Sequence, residues 1–163
     1  MKRTTIVIIC CLLCSCGIFT FSGSTLPKHL KTVNIPIFSN TSLQSGIAEE
    51  MTNTLSKKVL SENLLRVVNT AGDATISGTV TYYNNSPRTY ESNGSRSVTI
   101  SEYIVKISVD VDFMDNKNNT HLFKGIVTGQ GIYDFQKETE QTGRLSAEND
   151  IVEQILQNSL QSW

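Results

Sequence analysis

Beyond position 16 the chain contains no cysteine. All four cysteines lie between Cys10 and Cys16, so no disulfide framework holds the rest together. None is needed. Removal of the first fifteen residues would leave 148, and a single domain of that size buries roughly 70% of its unfolded surface. An excess of either charge is also missing. The formal net charge is −1, or −3 once Lys2 and Arg3 are lost, which excludes a strongly basic nucleic-acid binder and an acidic disordered tail. No stretch reaches the ~20 apolar residues of a membrane-spanning helix. Histidine is scarce: His29 follows Lys28, and His121 follows an Asn-rich turn, neither in a metal-ligand spacing. There is no phosphate-binding glycine loop and no nucleophile elbow. Asp110 and Asp112 share one strand face, which reads as solvated surface rather than a cation site. These absences argue against an enzyme. What is abundant is uncharged polar side chains: Ser, Thr and Asn make 49 of 163 residues, a composition that suits strands and turns.

The N-terminus has the order of a secretory signal peptide. Lys2 and Arg3 precede an apolar run, Ile6 to Leu13, and then Leu13-Cys14-Ser15-Cys16-Gly17. That end resembles a bacterial lipobox, with cleavage before Cys16. The cysteines lie in an apolar leader without His or acidic partners, against a metal site. The expected organisation is therefore a lipoprotein signal peptide over 1–15, a lipidated tether over 16–30 and one domain over 31–163. The only cofactor expected is the covalent lipid on Cys16, whose acyl chains contribute ~0.8 kcal/mol per buried methylene to membrane binding. No Asp follows Cys16, so the inner-membrane retention signal of enteric bacteria is absent, and an outer-membrane location is expected in a diderm cell.

Residues 17–28 are Gly/Ser/Thr-rich with Phe19 and Phe21 interspersed, a tether that packs partly on the domain. Val33, Ile35 and Ile37 alternate, predicting a strand with one buried face, with Pro36 at its end or on an edge. Leu43, Ile47, Met51, Leu55 and Val59 predict an amphipathic helix over about 44–62, capped by Ser45. Leu64 to Val68 is a short apolar run that can extend a sheet. Ile76, Gly78, Val80 and Tyr82 predict the next strand. The polar stretch 84–99 contains Asn93-Gly94, a hairpin dipeptide, so two strands are expected to continue outward as a ribbon tipped near Asn93. In the clearest strand, 101–113, Tyr103, Val105, Ile107, Val109, Val111 and Phe113 oppose Glu102, Lys106, Ser108, Asp110 and Asp112. A return strand follows over 121–133, where Gly125, Gly129 and Gly131 suggest bulges or close approaches. Residues 134–143 read as a polar linker, and Leu145, Val152, Ile155, Leu156 and Leu160 as a last helix. The expected fold is α+β: a two-layer sandwich with two helices packed on one face of a four-stranded, mainly antiparallel sheet. The Lys106/Asp110 face is left to water or a partner.

The Cys16-Gly17 start, the block from Gly23 to Asn40, Gly78-Thr79-Val80, Ser101-Glu102-Tyr103 and the closing helix ending in Trp163 resemble the LPS-assembly outer-membrane lipoproteins (LptE-like). The resemblance implies a non-enzymatic lipoprotein on the periplasmic side of the outer membrane. Such a protein plugs and supports the β-barrel that inserts lipopolysaccharide (LPS) into the outer leaflet. The implied partners are that barrel, LPS and the membrane that holds the lipid. LPS phosphates call for Arg or Lys, which makes Arg88, Arg96, Lys106 and Lys124 the candidate contacts. Two other readings stand beside it. One is a lipid-anchored periplasmic regulator of a cell-wall synthase or secretion assembly. The other is a pocket protein for a small apolar ligand, which the large side chains in both helical stripes oppose.

Overall fold

The hydrophobic pattern is realised as two layers. The computed structural model describes residues 26–92 and 98–161. Strands β1 (Thr32–Asn34) and β2 (Ser39–Asn40) precede helix α1 (Ile47–Ser61), and the short β3 (Arg66–Val68) follows it. Three longer strands come next, β4 (Ala74–Ser92), β5 (Val98–Asp115) and β6 (Thr120–Asp134), and then helix α2 (Glu140–Gln161). The sheet has six strands rather than the four expected, in the order β3-β1-β4-β5-β6, with β2 also on β4. It is mixed. β1 lies parallel to β3 and β4, and β2 parallel to β4, while β4–β5–β6 is an antiparallel meander. The extra strands are two or three residues long, too short for a period of two to show.

Both helices cover one face, where Val105, Ile107, Val109, Val111 and Phe113 of β5 are buried against Ile47, Met51, Leu55 and Val59 of α1 and Ile151, Val152, Ile155 and Leu156 of α2. Helix α1 ends at a left-handed Asn63 (φ 52°), whose turn lets Leu64 N–H reach Val59 O, a common way to satisfy terminal carbonyls. The close fit of α2 depends on glycine. A Cβ on Gly129 would lie 2.2 Å from Ala147 O, and one on Gly131 1.8 Å from Gly143 O. Two of the three glycines in the return strand thus mark close approach of helix backbone to strand. Gly125 meets only the Phe123 ring, at ordinary distance.

Several expected positions are corrected. Ile37 is exposed rather than buried, because β1 stops at Asn34, before Pro36, and the alternation lapses. Leu43 is fully exposed and α1 starts only at Ile47, with Gly46 (φ 78°) rather than Ser45 at the cap position. Tyr82 is exposed because the register shifts between Val80 and Tyr82, so that Tyr83, not Tyr82, pairs with buried Ile107. A bulge of this kind inverts the phase of every later side chain. Leu145 is exposed, and Ala147, Glu148 and Ile151 take its place inward. Helix α2 begins at Glu140, within the expected linker. The ribbon is present, since β4 and β5 stay paired out to Ser92 and Val98. Its tip near Asn93, like Trp163, lies outside the described residues.

Candidate functional site

The face of the sheet away from the helices is open. Rungs cross β4, β5 and β6 in register: Ser77–Asp112–Lys124, Thr79–Asp110–Ile126, Asn84–Lys106–Gln130 and Ser86–Ile104–Ile132. Serine, threonine and amide side chains alternate along it with aliphatic ones. Ile126 is 68% exposed and Ile132 43%. Ser108 and Thr128 hydroxyls hydrogen-bond across the strands at 2.9 Å. The exposed isoleucines are the part that sequence reasoning missed. Their signal was the phase of β6, where Gly129 and Gly131 take the inward positions and Ile126 and Ile132 the outward ones.

The candidate cations do not converge. Arg88 donates to Glu102 at 2.9 Å and Lys124 Nζ lies 3.2 Å from Asp112. Glu102 and Asp112 are ten residues apart on β5, about 33 Å. Lys106 sits between them, and of these three it alone has no ion pair among the described residues. Arg96 and Cys16 lie outside the described residues. His121 Nδ1 also lies 2.7 Å from Asp112. Burial alone would raise the Asp112 carboxyl, but hydrogen bonds and charge from His121 and Lys124 outweigh it and hold it below the ordinary value. The basic groups are therefore strung along one face, Arg88 and Lys124 each paired with an acid and Lys106 between them with no such pair among the described residues. Among the described residues no group of three His, Cys, Asp or Glu can hold a metal.

The outer edge of β6 is partly closed by α2 and the turn before it. Asp150 accepts from Gln130 N–H at 3.1 Å, Gln154 Nε2 donates to Thr128 O at 3.0 Å, and Glu138 accepts from Asp134 N–H at 2.8 Å. Side chains placed this way blunt an edge that would otherwise pair with another chain. At the start of α2, Glu140 accepts from Tyr83 OH and from Asn85, which ties β4 to the helix beneath the root of the ribbon.

At the other end of the sheet the tether enters the domain through a polar clasp. Asp115 is wholly buried. Its Oδ2 lies 2.6 Å from His29 Nε2 and accepts from Asn118 Nδ2, while its Oδ1 accepts from Lys117 and Asn118 N–H. Asp73 Oδ2 accepts from Lys31 and Thr32 N–H, and its Oδ1 pairs with Lys117 at 2.8 Å. Lys117, with these backbone donors, holds the Asp73 carboxyl far below the usual range.

One buried carboxyl joins the helices. Glu148 of α2 accepts from Thr54 Oγ1 of α1 at 2.9 Å. Glu50 lies beside it, and Arg144 Nε is 3.0 Å from Glu50 Oε2. Burial pushes Glu148 up to about 7, with the Glu50 charge adding to the shift and Thr54 and Arg144 opposing it. A raised acid favours the protonated fold. It therefore weakens stability progressively as pH rises from 4.5 to about 7, and no further above that. Glu148→Gln removes this penalty. We expect the melting temperature to rise by about 5 °C at pH 8 and the gain to vanish near pH 4.5, read by thermal unfolding across pH.

A two-helix layer on one face of a mixed sheet, with the other face of β4–β5–β6 uncovered among the described residues and extended by a ribbon, defines a small α+β domain. Residues 30–160 match the LptE lipopolysaccharide-assembly family, and the chain belongs to that family of non-enzymatic, envelope-associated lipoproteins. No curated protein is similar to it in sequence. Solved structures share the fold. The PelC dodecamer from Paraburkholderia phytofirmans superposes with a TM-score of 0.51 at 15% identity, over 84% of this chain and 93% of that one. A hypothetical protein from Chlamydia trachomatis gives 0.52 at 8% identity, over 78% and 94%. A protein from Xanthomonas campestris gives 0.51 at 8% identity, over 85% and 91%.

Proposed function

We propose that the chain is anchored to the outer membrane by lipid on Cys16. On this reading it seats its open sheet face and ribbon in the periplasmic mouth of the β-barrel that inserts LPS, plugging and supporting it. The observation that carries this reading is the helix-free face of β4–β5–β6, continuous with the ribbon. A barrel lumen is polar, and this face offers Ser108, Thr128, Asn84 and Gln130 for hydrogen bonds, with Ile126 and Ile132 as small apolar anchors. Family members normally associate with the LptD outer-membrane barrel.

The dimensions suit the role. Strands of 19 and 18 residues make a hairpin about 60 Å long. Its ribbon end lies opposite the clasp where the tether enters. Cys16 to Leu26 spans at most about 35 Å, so a lipid at Cys16 confines the domain near one membrane surface and raises its effective concentration at a barrel there. Direct LPS contact falls to Arg88, Arg96, Lys106 and Lys124, with Lys106 the readiest to meet a phosphate because no acid pairs with it among the described residues.

Depletion of the protein in its native cell tests the role. The expected result is loss of surface LPS and accumulation of misassembled barrel. Normal values for both, with a defect in cell-wall synthesis or secretion instead, would assign it to a regulatory assembly.

A further inference from the structure

We infer that the end of the domain where the tether enters is a docking surface for anionic phospholipid headgroups, those of the membrane that holds the lipid on Cys16. The inference rests on the lipid-anchored reading above. It adds the membrane surface as a partner of the folded domain itself.

A chain of contacts gathers cations at this end. Lys117 Nζ donates to His29 O at 3.0 Å and lies 2.8 Å from Asp73 Oδ1. Asp73 Oδ2 accepts from Lys31 N–H at 2.8 Å, and Lys31 O accepts from Arg66 N–H at 3.0 Å. Lys28 precedes His29, in the turn closed by Leu30 N–H on Pro27 O. Lys28, Lys31, Arg66 and Lys117 thus meet at the foot of β1, β3 and β4. The carboxylates among them are already engaged. Asp115 is wholly buried under its own donors, and Asp73 holds Lys117 and two backbone N–H groups. Glu62, at the end of α1, pairs with Lys58 at 2.9 Å. Lys28, Lys31 and Arg66 are exposed, and no acid pairs with any of the three among the described residues. This positive end belongs to a chain whose formal net charge is −1. The acids Glu102, Asp134, Glu138 and Glu140 gather at the opposite end, by the root of the ribbon.

Two of the cations share a recess. Lys31 and Arg66, with Asn63, line a cleft of about 480 Å³ at the end of α1. Leu30 and Leu65 also border it but are buried. An incoming group therefore meets two cations and an amide, a donor set suited to a phosphate diester.

Position selects the source of that phosphate. With Cys16 held in a bilayer, Leu26 lies at most about 35 Å from it. The clasp fixes Lys28 and Lys31 directly behind, so the leaflet surface is the anionic surface within reach. One Lys or Arg near such a surface strengthens binding about fivefold. That is too little to hold a free protein, but three or four together orient one already tethered. Contact at this end leaves the sheet face, along the flank of the domain, free for the barrel.

The test uses the full mature chain with its lipid, reconstituted in vesicles of phosphatidylcholine, alone or mixed with phosphatidylglycerol. A fluorophore is attached at Ser61→Cys, at the end of α1, or at Gln136→Cys, near the ribbon root, and quenched by a spin-labelled headgroup. Phosphatidylglycerol is expected to raise quenching at position 61 about twofold or more and to leave position 136 unchanged. Lys28→Gln with Lys31→Gln and Arg66→Gln should remove the rise. So should salt raised from about 0.1 M to about 1 M, where the screening length falls from about 10 Å to about 3 Å. Equal quenching at position 61 in both vesicles overturns the inference, since the tether alone would then bring this end near the membrane and the patch would be left to a protein or a free anion. A rise that is equal at position 136, or that survives the triple substitution, also overturns it. Flotation with phosphatidylcholine alone reads the anchor separately. A chain that does not float there refutes the anchor. Phosphatidylglycerol then either restores flotation, which supports the patch, or fails to, which overturns it.

Discussion

Gly131→Ala is expected to cost about 3 kcal/mol or more and to lower the melting temperature by about 6–12 °C. The added methyl would lie 1.8 Å from Gly143 O, 2.8 Å from Gly143 C and 2.9 Å from Ala147 N. All three are backbone atoms of α2, so no rotamer change relieves the overlap and the helix itself must move off the sheet. Alanine has one compensation: it lowers the conformational entropy of the unfolded chain relative to glycine, which contributes about 0.4–1 kcal/mol where the fold tolerates it. The clash is larger. Gly125→Ala is the internal control: it meets only the Phe123 ring, at 3.6 Å, and should leave stability within about 1 kcal/mol of the parent. Thermal or denaturant unfolding of the two variants side by side checks the pair. Equal effects would show that α2 does not ride on the glycines.

The second large effect is expected at the tether clasp. Asp115→Ala should cost about 2–3 kcal/mol, because it removes the acceptor of Lys117 N–H, Asn118 N–H, Asn118 Nδ2 and His29 Nε2 together. His29 and Asn118 can turn to water, which limits the loss. The two backbone donors of the β5–β6 turn lose the oxygen that shapes it. Asp115→Asn should fall between, since its carbonyl can still serve the turn but carries no charge toward His29. The pH dependence identifies the cause. Burial alone would raise this carboxyl, yet the hydrogen bonds from Asn118, His29 and Lys117 outweigh it, and the net shift is downward. A depressed acid stabilises the fold above its unfolded value near 3.8, and the contribution is lost as pH falls through the lower folded value. The parent should therefore show an acid-side loss of stability that Asp115→Ala lacks at this site.

The long elements were legible because they repeat. Five alternating residues from Val105 to Phe113 specify a strand covered on one side, and the stripe from Ile47 to Val59 specifies a helix, so the two-layer α+β arrangement followed. The strand at Val33 was legible from its alternation, but β2 and β3 were not, since two or three residues carry no period, and the parallel pairing of β1, β2 and β3 has no local signal. The bulge at Tyr82 was hidden for a related reason: an extra residue shifts the phase while leaving the apolar letters in place. The open face was foreseen from Lys106 and Asp110. Its isoleucines were not, since the outward phase of Ile126 and Ile132 shows only once Gly129 and Gly131 are seen to be filled by helix backbone. The basic candidates were named by charge alone, and sequence cannot show that Arg88 and Lys124 each already face an acid across the strand.

The central claim is that the helix-free face of β4–β5–β6 is the working surface. It is tested most directly by placing a photo-crosslinking residue at Ile126 or, in a second strain, at Glu153 on the outer side of α2, and irradiating intact cells. The account predicts that an outer-membrane β-barrel is captured from position 126 and not from 153. Capture from 153 with none from 126 would contradict it, because the helices would then be the face that meets the partner.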